Sequence, residues 1–167
     1  SIGNYLTEQI KSFKNLSSTF GIKKKIKDHI HAILNIAYTS RSPNAAELFS
    51  DGLHHSMATI ELGSLRLVPE KAFKFIVSFE KKKGPFSYSF TGFNSIIKNY
   101  INLEPSLDGF EKTARGAFLK REYRQIPSVN MRGLDFDLKL ELSNKINLKS
   151  SASMIEAYED GNTPLVD

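Results

Sequence analysis

An all-β fold of antiparallel, up-and-down strands is what this sequence predicts, and three observations carry that expectation. Apolar and polar residues alternate with a period of two in segment after segment, where a helix would repeat about every 3.6 residues. The connections alternate in length, with short lysine- or glycine-bearing turns near residues 24–28, 81–85 and 143–145 and long polar stretches near 42–68, 102–114 and 158–167. The candidate strands run about 10–14 residues, against a usual globular length of about 5–6. A soluble sandwich also alternates its two faces. A transmembrane barrel adds short turns at one end and long loops at the other, and the long strands favour it.

Taken in order, Leu16, Phe20 and Ile22 open the pattern, and residues 23–28 read as a turn. Ile30, Ala32, Leu34, Ile36 and Tyr38 then share one face, with His29, His31, Asn35 and Thr39 on the other. Phe73, Phe75, Val77 and Phe79 face away from Lys74, Ser78 and Glu80, just as Phe86, Tyr88 and Phe90 face away from Ser87, Ser89 and Thr91. The K-K-K-G-P between them reads as a hairpin turn. In residues 134–142 every even position is large and apolar and every odd one is charged, which places two different solvents on the two faces of one strand. Residues 146–158 are weaker, because Ser150, Ser151 and Ser153 blur the alternation, but S-N-K at 143–145 makes a good turn before them. The expectation is three hairpins and about six strands. With no fixed-period repeat and no low-complexity linker, residues 1–167 are read as one segment without an internal domain boundary.

Composition narrows the function. The 167 residues are 40% hydrophobic and 25% charged, with a net charge of +5, which excludes disorder and collagen-like structure. Without cysteine there is no disulfide framework, thiolate metal site or cysteine nucleophile. No run of about 18 apolar residues supplies a spanning helix, although a barrel strand needs only about 9–11 residues. G-x-S-x-G, H-E-x-x-H and G-x-x-x-x-G-K are all absent, so no enzyme, no catalytic residue and no cofactor are expected. Asp135, Asp137 and Glu141 belong to a solvated strand face where nothing drives their pKa values apart. The lysines at 23–27 and 81–83 read as solvated turns. No aromatic stacking platform is interleaved with them, so no nucleic-acid partner is expected.

Residues 40–70 read S-R-S-P-N-A-A-E-L-F-S-D-G-L-H-H-S-M-A-T-I-E-L-G-S-L-R-L-V-P-E. This resembles the part of TonB-dependent outer-membrane receptors in which a strand ends in aromatic-x-x-R-x-P-x-x-x-E-L-[FY]. The run there continues through an extracellular G-x-H-H loop and re-enters the membrane at G-x-x-x-L-x-x-E. The matching residues are Tyr38, Arg41, Pro43, Glu47, Leu48, Phe49, Gly52, His54, His55, Glu61, Gly63, Leu67 and Glu70. Residues 93–101 look like the family's strand before another outer loop. Tyr123-Arg124-Gln125 followed by Gly133-Leu134-Asp135 looks like its Y-x-Q…G-x-E/D strand start, with Asp135 where many members have Glu.

The resemblance implies a transmembrane β-barrel in the cell outer membrane that takes up an iron-siderophore complex, haem or a metal ion such as zinc. TonB and the inner-membrane energising complex would act through a plug domain, and outer-membrane lipid would surround the wall. Members have an N-terminal plug and barrels of about 22 strands, so these residues are expected to form a segment from the C-terminal half of the barrel.

Asp51, His54, His55 and Glu61 are the candidate ligand-binding residues of the outer loop. Neutral imidazole binds transition metals or hydrogen-bonds a ligand, so His54 and His55 are also the candidate metal ligands, with Asp51 and Glu61 as oxygen donors. Adjacent histidines in an extended chain point to opposite faces, so both reach one ion only if the loop bends. The plainer alternative is two exposed loop histidines. Arg41, Glu47 and Glu70 are expected to form a salt-bridge network at the strand–loop junctions of the lumen wall. His29 and His31, two residues apart, are expected to be solvated residues of the lumen or periplasmic rim. The competing class is a soluble all-β module that binds an acidic polymer through its lysines.

Overall fold

The computed structural model describes residues 10–54, 57–114, 116–159 and 163–164. Six long strands dominate it: β1 (Ser17–Lys27), β2 (Ile30–Arg41), β5 (Glu70–Lys81), β6 (Phe86–Thr113), β7 (Gly116–Ser143) and β8 (Ile146–Glu159). Between β2 and β5 lie helix α1 (Ala45–Phe49) and strands β3 (Asp51–His54) and β4 (Thr59–Leu62), and β9 (Thr163–Pro164) follows β8. All the strands belong to one sheet, ordered β1-β2-β5-β6-β7-β4-β3, with β8 also on β7 and β9 on β8. Among the described residues the sheet is a single layer and is not closed.

Register carries the alternation from strand to strand. Ile36 pairs with Phe75, Phe75 with Asn94, Phe79 with Phe90, Phe90 with Phe136 and Phe136 with Ala152, so the even-numbered apolar residues of β2 meet the odd-numbered ones of β5 and the even-numbered ones of β6, β7 and β8. Phe73, Phe75, Phe79, Phe90, Leu134 and Phe136 remain exposed on that face. A soluble sandwich needs a second sheet over it, and none is found among the described residues.

The other face is polar and knit across strands. Ser78 and Thr91 share a hydrogen bond of 2.9 Å, Ser151 donates to Asp137 at 2.7 Å and Ser153 donates to Asp135 at 2.6 Å. The serines that blur the alternation of residues 146–158 thus include two that serve the carboxylates of β7. Phe93 is an exception on this polar face. Its ring lies where a Cβ on Gly133 would be, 2.7 Å away, and Lys74 Nζ sits 4.3 Å from its centroid.

Three sequence expectations need correction. The first turn is Asp28 and His29 alone, because β1 runs on through Lys27. Lysine stems extend along a strand while their ammonium groups reach partners: Lys23 binds Glu80 at 2.6 Å and Lys25 binds Asp28 at 3.1 Å. His29 takes the left-handed conformation of a tight turn (φ 63°) and is not a strand neighbour of His31, which lies opposite Glu80. The second correction concerns residues 102–114, expected as a loop. Residues 102–113 are strand, paired with β7 out to Thr113 and Gly116, with one irregularity between Pro105 and Phe110. Where both faces meet water a ladder needs no apolar alternation, so the pairing leaves no period-two signal. Third, residues 42–68 contain α1, β3 and β4 and are not a structureless loop.

The lobe made by α1, β3 and β4 is the part with a core. Leu48, Leu67 and Ile101 are buried together, with Phe13, Leu65 and Tyr123 packed against them. Burying each large apolar side chain contributes about 1.5–3 kcal/mol. Gly63 permits the close approach. A Cβ there would lie 2.6 Å from the Leu48 carbonyl carbon, while its N–H donates to Ser50 O at 2.7 Å. Among the described residues β8 pairs with β7 only as far as Val129, leaving the edge of β7 beyond that point to other partners. β4 fills part of it by pairing in parallel, Thr59 with Leu119 through Leu62 with Glu122.

Candidate functional site

Arg41 ends β2 directly opposite Glu70, the first residue of β5. Its Nε donates to Glu70 Oε2 at 2.6 Å, and its Nη1 donates to Glu47 Oε1 and Oε2 at 3.0 and 3.1 Å. Glu47 is held from the helix side as well. Asn44 caps α1 by accepting from Glu47 N at 2.9 Å, and Glu47 Oε2 accepts from Asn44 N at 2.7 Å, which closes a capping box. Glu70 Oε1 accepts from Ile101 N at 2.7 Å. Both carboxylates are buried, and every one of their oxygens has a partner, so the knot fastens lobe to wall.

A second fastening comes from Gln125 on β7. Its amide donates to Val68 O at 2.7 Å and to Asn99 O at 2.9 Å, and its oxygen accepts from Val68 N at 3.1 Å. Gln125→Leu keeps the volume and loses all three bonds. Local opening at Val68 should become about 2 kcal/mol easier. The Val68 amide should then exchange with solvent about thirtyfold faster in the intact protein, and unchanged exchange would show that the clamp is idle.

In the β3–β4 hairpin, Asp51 pairs with Leu62, Gly52 with Glu61 and His54 with Thr59. Strand alternation therefore puts His54 and Glu61 on one face and Asp51 on the other. His54 Nδ1 lies 3.2 Å from Glu61 Oε1, and Tyr123 donates its hydroxyl to Glu61 Oε2 at 3.4 Å. Glu61 is buried, and His54 is half exposed. Burial first, and then the negative charge of Glu61, push the Tyr123 phenol above its ordinary pKa and keep it a donor. Placing the imidazole proton on Nδ1, toward the carboxylate, leaves Nε2 with its lone pair.

The structure thus brings His54 and Glu61 together, adds Tyr123 and separates Asp51; His55 lies outside the described residues. Among the described residues no three His, Asp or Glu side chains gather where they could hold a metal ion. Tyr123 and Gln125 stand in the sequence as motif residues, but nothing there shows that they reach Glu61 and Val68, more than fifty residues away.

The comparisons agree on the architecture. The family model described as TonB dependent receptor-like, beta-barrel matches residues 3–166. No curated protein sequence matches. Among solved structures, the siderophore receptor PirA from Pseudomonas aeruginosa is similar with a TM-score of 0.69 at 16% identity, over 89% of this chain and 28% of that one. The copper transporter OprC is similar with a TM-score of 0.67 at 11% identity, over 87% of this chain and 21% of that one. A variant of the ferric enterobactin receptor PfeA from Pseudomonas aeruginosa gives 0.59 at 16%, over 83% and 21%. The chain therefore spans less than a third of the length of each of these proteins.

Proposed function

The chain belongs to the TonB-dependent receptor β-barrel family, and from that premise we propose that it forms part of the wall of an outer-membrane importer. The observation that carries this reading is the two-faced sheet, bare and apolar on one side and polar on the other, with the lobe docked at the loop end. The apolar face meets lipid. The polar face lines the lumen, where a plug domain elsewhere in the protein would sit. TonB and the inner-membrane energising complex pull on that plug, and these residues supply wall and cargo contact without catalysis.

An iron-siderophore complex is the leading cargo, since the chain is similar in fold to a siderophore receptor and a ferric enterobactin receptor. Haem and a metal ion such as zinc or copper complete the panel. His54, oriented by Glu61, offers a partner for an oxygen-rich chelate. Asp51 would meet cargo only from the opposite face of the hairpin, and His55 keeps its proposed place as a loop contact or metal donor.

In the full-length receptor, His54→Ala and Glu61→Gln should each weaken uptake of one cargo of the panel by about tenfold. The folded barrel should remain in the outer membrane. Undiminished uptake of every cargo would reduce the hairpin to scaffold, and recovery of the protein in the soluble fraction would sink the importer reading altogether.

A further inference from the structure

The apolar face carries a hollow of about 610 Å³ over β5–β8, lined chiefly by Phe75, Val77, Leu134 and Met154. It exists because Gly92 has no side chain where its row neighbours Val77 and Leu134 have large ones; a Cβ at Gly92 would meet only Leu134 Cδ2, at 3.3 Å. The next rows of the same face, toward the lobe, turn polar. Arg132 binds Glu156 through Nε at 3.0 Å and Nη2 at 2.9 Å, and its guanidinium lies 5.1 Å from the ring of Tyr158. Asn94 donates to Asn130 at 2.9 Å, and above them Lys98 donates to Ser128 at 3.1 Å and pairs in register with Lys71.

Charge on a lipid-facing wall costs about 2–4 kcal/mol at the bilayer midplane and about 0–1 near the interface. Arg132 and Glu156 therefore mark the headgroup level, and the hollow lies just inside the hydrocarbon beneath it. Arg132, Lys98 and Lys71 outnumber Glu156, so the patch has a positive surplus. Glu156 and Tyr158 hold the Arg132 plane in place before any ligand arrives, which lowers the cost of ordering it.

Resting on the membrane-barrel reading, we propose that this hollow and the polar cluster above it bind a membrane lipid with a net-negative phosphate headgroup. One acyl chain fills the space over Gly92, and the headgroup lies on Arg132 and Lys98. Chain below and anion above is the order a lipid standing in a leaflet already has.

The test uses the full-length receptor purified in mild detergent, offered phosphatidylglycerol or phosphatidylcholine with identical acyl chains, with bound lipid counted by native mass spectrometry. The intact receptor should retain phosphatidylglycerol preferentially. Lys98→Ala and Arg132→Ala should each lower that preference about fivefold, and Gly92→Leu should lower retention of both lipids. A folded barrel migrates differently on a gel before and after boiling, and each variant is checked this way. Equal retention of the two lipids by a folded, inserted receptor would overturn the lipid site and leave the barrel reading intact. A receptor that never inserts would overturn both.

Discussion

Leu138→Lys should cost about 2–4 kcal/mol when the full-length receptor folds into phosphatidylcholine vesicles, read from the gel shift of the folded barrel across a urea series. Leu138 is the centre of five apolar residues at 134–142, and it pairs with Tyr88 and Ser150 on a face that no second layer covers among the described residues. A sandwich core would resist the lysine too, so the comparison with a neighbour decides. Asp137→Lys, one residue away on the polar face, gives up a 2.7 Å bond from Ser151 and should cost about 1 kcal/mol. Equal penalties at 137 and 138 would mean that the two faces do not meet different solvents.

Arg41→Ala should be comparably severe. It removes the cation shared by Glu47 and Glu70, leaving two buried carboxylates beside one another. Losing one partner of a buried ion pair costs about 3–5 kcal/mol, and the partial exposure of Arg41 lets water repay some of this, giving about 2–3. The loss should be local: residues 42–69 become accessible to protease while the strands stay paired. Arg41→Lys should rescue only part, since one ammonium cannot present the planar fork that spans both acids. Wild-type protease resistance in Arg41→Ala would show that the Asn44 capping box and the Gln125 clamp hold the lobe without it.

The strands are legible in the sequence wherever each face has its own solvent. Residues 134–142 show this in full, and Phe73 to Phe79 nearly so. Legibility fails above the apolar band. In the outer halves of β6 and β7 burial follows the lobe, which covers Ile101 and Tyr123, and not every second residue, so the pairing depends on backbone bonds that no period-two pattern reports. The turn at Asp28 and His29 is hidden for a related reason: lysines suit a loop and a strand equally, and only the cross-strand partner Glu80 distinguishes them.

At the candidate site, Arg41, Glu47 and Glu70 stand out by their match to the receptor-family motif, but their mutual bonds depend on β2 and β5 becoming neighbours. Parity separates Asp51 from His54, and that follows only once Asp51–His54 is known to be a strand. Tyr123 reaches Glu61 because β4 lies parallel on β7, a long-range pairing without a local signature.

The same connections set an order of assembly. β1–β2, β5–β6 and β7–β8 close across tight turns, so their pairing has the least chain entropy to overcome. Joining β2 to β5 must first close the excursion of residues 42–69, and each doubling of such a loop adds about 0.6 kcal/mol of closure entropy. The parallel match of β4 with Leu119–Glu122 spans still more chain and needs β7 in place as its template. The lobe therefore locks last, and a chain stalled before that step already has its wall while Tyr123 is still apart from His54 and Glu61, which their own hairpin joins.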